Sequence, residues 1–136
     1  MESISLRQLI IAKDQLEQIR DAIQQIQQWS VSVKSAEDFV LSPEGMKTLA
    51  ADCMLIEAIG EGVKKIDNLT NQQLLVHRSE IPWRQIKDMR NHIAHGYFDI
   101  NTDFVWDVIR NDLQPLLEAI EYFIENIYDI LPFEGE

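Results

Sequence analysis

Ser42-Pro43-Glu44-Gly45-Met46-Lys47-Thr48-Leu49-Ala50-Ala51-Asp52-Cys53-Met54-Leu55-Ile56 is the stretch that decides the fold class. A hydroxyl residue, a proline and an acid in succession mark a helix start. The serine can accept from a free N–H, the fixed φ of proline suits the first turn, and the carboxylate lies near the positive end of the helix dipole. Behind this start Met46, Leu49, Cys53, Ile56, Val63 and Ile66 recur at helical spacing. Gly60 and Gly62 interrupt the run around Glu61, each costing roughly 1 kcal/mol relative to alanine in a helix. Close helix–helix packing at Gly60 is the favoured reason for them. The other reading is that small neighbours let Glu61 face a shared cleft.

Outward from this centre the same period persists. Upstream, Ser5 with Gln8 can form a capping box, and Leu9, Leu16, Ile19, Ile23 and Ile26 make an apolar stripe. That helix should stop in the polar run Trp29 to Ala36, followed by one short turn around Phe39 and Val40. Downstream, Asn68 to Ser79 reads as a loop with a short helix around Leu74 and Leu75. Pro82 opens a helix from Trp83 to about His95, with Gly96 at its end and a turn from Phe98 to Asn101. A last long helix runs from Asn101 or Thr102 to Tyr128, its stripe formed by Ile109, Leu113, Leu116, Ile120, Phe123 and Ile127. Pro115 should kink or restart it near Asn111 to Gln114. Leu131 to Glu136 is expected to fray. With no repeat or linker, residues 1–136 are expected to form one all-α, up-and-down bundle of four to five helices.

The 136 residues, 46% apolar and 26% charged, are those of a folded globular chain. Cys53 is the lone cysteine, so no disulfide framework or thiol cluster is available, and its apolar setting makes it a core residue. No window approaches the ~20 apolar residues of a membrane span. Met1-Glu2-Ser3-Ile4 lacks the basic region and apolar run of a secretory leader. A cytoplasmic protein without membrane contact is the expectation.

The net charge of −11 argues against nucleic acid as a partner until its distribution is examined. Residues 1–95 carry 13 acidic and 11 basic side chains, whereas residues 96–136 carry 10 acidic ones and Arg110 as the sole base. That acidic last third reads as a solvated face, with a docking surface for a basic partner as the alternative. His77, His92 and His95 all fall in one short stretch with Arg78, Arg84, Lys87 and Arg90. This locally cationic stretch is the place to look for chemistry.

Within it, Arg90-Asn91-His92-Ile93-Ala94-His95-Gly96-Tyr97 can bring a guanidinium, a carboxamide and an imidazole to one helix end, since positions 91 and 95 project within ~40° of each other. Imidazole moves protons near neutral pH, and guanidinium grips phosphate in a bidentate fork. These are parts for cleaving RNA by attack of the ribose 2′-hydroxyl on its own phosphodiester. His92 and His95 supply at most two metal ligands, short of what a zinc site needs. By spacing alone, catalysis and an ordinary polar helix end both remain open.

The stretch Ile81-Pro82-Trp83-Arg84-Gln85-Ile86-Lys87-Asp88-Met89-Arg90-Asn91-His92-Ile93-Ala94-His95-Gly96-Tyr97-Phe98 resembles the signature of the HepT family, the HEPN-domain toxins of prokaryotic toxin–antitoxin pairs. Its R-x-x-x-x-H-x-Y mark is met by Arg90, His95 and Tyr97. Ile59-Gly60-Glu61-Gly62, Phe104-Val105-Trp106 and Leu113-Gln114-Pro115-Leu116 resemble further family segments. The resemblance implies a HEPN-like bundle and a homodimeric ribonuclease that needs no metal or other cofactor. It also implies a nucleotidyltransferase antitoxin that transfers AMP from ATP to the motif tyrosine. Arg90 and His95 would be catalytic, Asn91 would orient the phosphate or the imidazole, and Tyr97 would be modified. His92 falls at a variable position and receives no role. Two other readings remain: a HEPN subunit that binds or presents substrate to a nucleotidyltransferase, and an interaction bundle without a site. For Tyr97 the alternative to modification is an aromatic lid beside Phe98.

Overall fold

Ser5 begins the first helix as its spacing to Gln8 predicts. Its hydroxyl accepts from the Gln8 N–H (3.0 Å), and the Gln8 side chain accepts from the Ser5 N–H (2.8 Å). The computed structural model describes residues 3–93 and 99–134. A two-residue strand β1 (Ile4–Ser5) leads into helix α1 (Leu6–Trp29). All five members of the α1 stripe are buried. A short 3₁₀ turn over Ala36–Phe39 buries Phe39, and helix α2 (Pro43–Leu69) follows, with the Ser42 hydroxyl accepting from the Gly45 N–H.

The two helices run antiparallel. Gln8 donates to the Leu69 carbonyl, Ile19 meets Gly62, and Ser30 donates to Asp52. Gly62 allows this approach: a Cβ there would lie 3.0 Å from Gln15 and Ile19 side-chain atoms. Met46 departs from its expected place in the α2 stripe and is 53% exposed, whereas Leu49, Ile56, Val63 and Ile66 are buried.

After α2 the chain reverses through Asn71 and Gln72, which take left-handed φ values of 52° and 60°. A 3₁₀ turn over Leu75–Arg78 follows. The helix expected from Trp83 to His95 is divided into α3 (Trp83–Lys87) and α4 (Arg90–Ile93). At the break the N–H groups of Met89, Asn91 and His92 bond carbonyls three residues back rather than four. This tightens the turn, just beyond the point where α3 is held against α2.

The last rod is also interrupted. Helix α5 (Thr102–Asp107), capped by the Asn101 side chain, passes into a π-helical turn over Val108–Asp112 and then α6 (Leu113–Ile130). The cause is Pro115, whose missing N–H and bulky ring conflict with the carbonyl four residues earlier. The widened turn is closed by the Leu113 N–H on the Val108 carbonyl. The extra residue shifts the stripe by one position, so Val108 is buried in place of the expected Ile109.

Like α2, α6 runs antiparallel to α1. Gln27 donates to Gln114 near one end, and the Lys13 ammonium sits over the Tyr128 ring near the other. The expected fraying of the C-terminal segment is not observed over its described part. Leu131 is buried, and β2 (Phe133–Glu134) pairs in parallel with β1, supported by Ser3 donating to Glu134. These strands are too short to change the class: the architecture is all-α, and its buried residues form one hydrophobic cluster. Among the described residues no helix is long and apolar enough to cross a membrane.

Candidate active site

The cationic stretch is made of short pieces that cannot hold helical shape alone, so anchors define it. At its head the Trp83 indole N–H donates to the Arg78 carbonyl (3.0 Å), and the ring stacks on Phe123 of α6 (centroids 5.9 Å, interplanar angle 29°). Arg78 pairs with Glu80 (2.7 Å) and lies over the Tyr122 ring. At its middle the Ile86 carbonyl rests on Gly60, where a Cβ would be only 2.9 Å away. Gly60 is therefore a close-packing residue. Glu61 points to solvent and pairs with Lys64 (3.4 Å) instead of entering a cleft.

One residue further, the Lys87 ammonium bonds the buried Asp67 carboxylate of α2 (2.5 Å). Buried Ile86, Met89 and Ile93 seat the same segment on the core. Beyond it, the Asn101 N–H donates to the Ile93 carbonyl (2.7 Å), tying the start of α5 to the end of α4.

On this base α4 presents Arg90 and Asn91 to solvent. Among the described residues no carboxylate pairs with Arg90, so its guanidinium is free to receive a phosphate in a bidentate fork. The structure thus places two of the expected site residues side by side and accessible. His95 and Tyr97 lie outside the described residues. His92 turns from the exposed side of α4 toward Phe104 of α5, with ring centroids 5.5 Å apart.

Comparison with known proteins places the chain in a family. Residues 13–123 match the family model described as "Ribonuclease HepT-like". The chain belongs to the HepT-like ribonuclease family. It is 34% identical over 109 residues to a protein named "Probable ribonuclease HepT" from Thermococcus cleftensis, covering 80% of this chain and 92% of that one. A protein of Methanocaldococcus jannaschii, provisionally named as an RNase, is 30% identical over 81 residues, 60% of this chain and 64% of its own. No solved structure matches the chain at a significant level.

In this HepT-like chain two features of the site were not foreseen from sequence. The Lys87–Asp67 clamp joins residues twenty positions apart, and nothing in either residue's neighbours announces the pairing. A groove of about 520 Å³ opens beside α4, with Met89 and His92 on one side and Phe104, Val108 and Asp112 on the other. The shift of stripe caused by Pro115 was the available signal for its far wall.

Other ionisable groups away from α4 explain themselves as structure. Cys53 is buried, and burial, with the nearby Asp52 and Glu57 charges, pushes its thiol up to about 12, so it is not a nucleophile at neutral pH. Asp52 is fully buried, and loss of water raises its carboxyl to about 6 against the lowering effect of the Ser30 hydrogen bond. Among the described residues no group of three His, Cys, Asp or Glu side chains is placed to hold a metal ion.

Proposed function

We propose that this protein is a metal-independent RNA endonuclease of the cytoplasm, the toxin of a toxin–antitoxin pair, acting as a homodimer. The observation that carries this reading is the exposed Arg90, unpaired among the described residues, on an anchored helix turn of a HepT-like ribonuclease chain. The reaction is transesterification. The ribose 2′-oxygen forms a bond to phosphorus as its proton is taken, the bond from phosphorus to the 5′-oxygen breaks, and that oxygen is protonated. Arg90 holds the phosphate and the charge developing on it, Asn91 orients it, and His95 moves the proton.

One motif histidine per chain leaves the second proton transfer without a donor, which favours pairing two copies across the site. A mixed dimer of Arg90→Ala and His95→Ala subunits regains activity if the site is shared. Tyr97 is the acceptor to which a partner nucleotidyltransferase adds AMP: the phenol oxygen loses its proton and bonds the α-phosphorus of ATP as the bond to the β-phosphate breaks and pyrophosphate leaves. The added phosphate and nucleoside oppose RNA by charge and bulk.

The deciding experiment is induced expression in a bacterial host together with cleavage of RNA by purified protein. The native chain should arrest growth and cut RNA in the presence of EDTA, and His95→Ala should do neither. A native chain that cuts no RNA, with or without its partner, supports the alternative of a non-catalytic subunit. Tyr97→Phe should retain cleavage and escape neutralisation. Absence of any mass gain on the native chain when the partner and ATP silence it would exclude the modification.

A further inference from the structure

We propose that the groove between α3–α4 and the π-helical turn receives one unstacked nucleobase of the RNA and favours guanine over uracil. This deepens the ribonuclease reading and rests on it for the source of the base. At about 520 Å³ the groove falls within the range of small-molecule sites, roughly 300–1,000 Å³.

Its chemistry is that of a base and not of a phosphate. No lysine or arginine lines it, and its two charged residues are Glu80 and Asp112. The cations stand outside: Arg84 and Arg90 are exposed on the same short helices whose Gln85 and His92, with Met89 of the turn between them, form the groove wall. A strand of RNA can therefore keep its phosphates along the cationic rim while a neutral base turns inward. Phe104 and His92 supply the stacking surface, their rings already in contact across the groove's edge. Stacking on aromatic side chains is how unpaired bases are held.

Selection falls to the polar wall. Glu80 is engaged by Arg78. Asp112, carried into the groove by the π turn, has no hydrogen bond or ion pair to any described residue. Asp112 is exposed at the groove's margin, where partial loss of solvent and then the Asp107 charge raise its carboxyl above the usual range. An ionised carboxylate only accepts, and it can take two parallel donors. Guanine offers a ring N–H and an amino group side by side on its pairing edge, whereas uracil offers one N–H between two carbonyls.

The test uses the full-length chain. Short single-stranded RNAs differing by guanine or uracil at each position flanking the cut are compared by kcat/KM for the native protein, Asp112→Asn and Phe104→Leu. At one position the native protein should favour guanine about tenfold or more, Asp112→Asn should abolish that ratio, and Phe104→Leu should raise KM for both RNAs about tenfold.

A second measurement separates this proposal from the cleavage reading. Uncleavable DNA oligonucleotides of the same sequences should shift the Phe104 and His92 NMR signals, guanine-bearing ones more than thymine-bearing ones. If RNA is not cut but these shifts are seen, the catalytic reading fails and the base site stands. Cleavage with equal rates on all RNAs and unmoved Phe104 signals would overturn the base site. Signals that move with GMP but with no oligonucleotide would also overturn it, assigning the groove to a free nucleotide. Signals that change only with protein concentration would do the same, because a second copy would then fill the groove.

Discussion

The α1–α2 pair and the segment from Trp83 to Asp112 are built to different rules. The first is two unbroken helices of 24 and 27 residues whose apolar stripes interlock along their length. The second is cut into helical pieces of four to six residues, each fixed by one or two particular contacts. Long helices gain stability from many small burials and present uniform polar faces. Short, anchored pieces leave turns, carbonyls and unpaired side chains open, and that is where Arg90 and the groove are found. In this chain the long buried stripes and the open, anchored surface therefore occupy different lengths of sequence, joined at Gly60 and Asp67.

The largest expected effect tests that division. Arg90→Ala should lower RNA cleavage at least 10²-fold, as loss of a donor to a developing negative charge does. Because Arg90 is exposed, its loss should change unfolding free energy by no more than about 0.5 kcal/mol. Urea denaturation alongside the cleavage assay checks both. A large loss of stability would mean that α4 supports the fold as well as the reaction.

The opposite case is Asp52, a stability defect within the long pair. Its carboxylate is fully buried, one oxygen accepts from Ser30, and the other has no partner among the described residues. A carboxyl raised from 3.8 to about 6 on folding contributes stability below pH 4 that is lost as pH climbs through 6. Asparagine is neutral throughout. The stability of Asp52→Asn relative to the native chain should therefore rise by about 2–3 kcal/mol between pH 4 and 7.5, with cleavage little changed. Parallel urea titrations that keep a constant gap across this range would show that the carboxylate is solvated.

The two glycines sharpen the comparison at its boundary. At Gly62 a Cβ meets side-chain atoms of Gln15 and Ile19, which can give way. At Gly60 it meets the Ile86 carbonyl, which cannot move without shifting α3. Gly60→Ala should cost about 1–3 kcal/mol and reduce cleavage. Gly62→Ala, where the better helix propensity offsets mild crowding, should stay within about 1 kcal/mol of native and leave cleavage intact. Equal effects at both positions would remove the distinction between the two regions.

What the sequence made legible follows the same boundary. Capping at Ser5 and Ser42 and the α1 stripe could be read because each depends on residues within a turn or two of one another. The break at Asp88 and the β1–β2 pair depend on contacts between distant segments. Pro115 gave notice of a disturbance but not of its form, since a kink and an inserted residue satisfy the same missing N–H. Only the insertion exchanges Ile109 for Val108 in the core and brings Asp112 to the groove. For the candidate site, Arg90 was singled out by the motif and Asn91 by its helical spacing to His95, and both stand exposed on α4. The Lys87–Asp67 clamp was not, because charge pairing across twenty residues has no local sign.

That clamp gives the smallest effect and the most specific one. Lys87 and Asp67 are partly shielded from water, with 28% and 13% of their side chains exposed. A pair of this kind contributes about 1 kcal/mol after desolvation and side-chain ordering are counted. Lys87→Met keeps the length of the stem but leaves the Asp67 carboxylate without its cation. Lys87→Met with Asp67→Asn removes both charges and should recover most of the lost stability. Position is a separate matter, because the ion pair fixes where α3 ends and hence where Arg90 begins. The double variant should therefore regain folding but keep a severalfold lower kcat, with KM for RNA nearly native, since Arg90 still binds phosphate but holds it off line. Recovery of kcat along with stability would show that Gly60 and the buried Ile86 and Met89 suffice to aim α4, leaving the clamp as a stabilising contact alone.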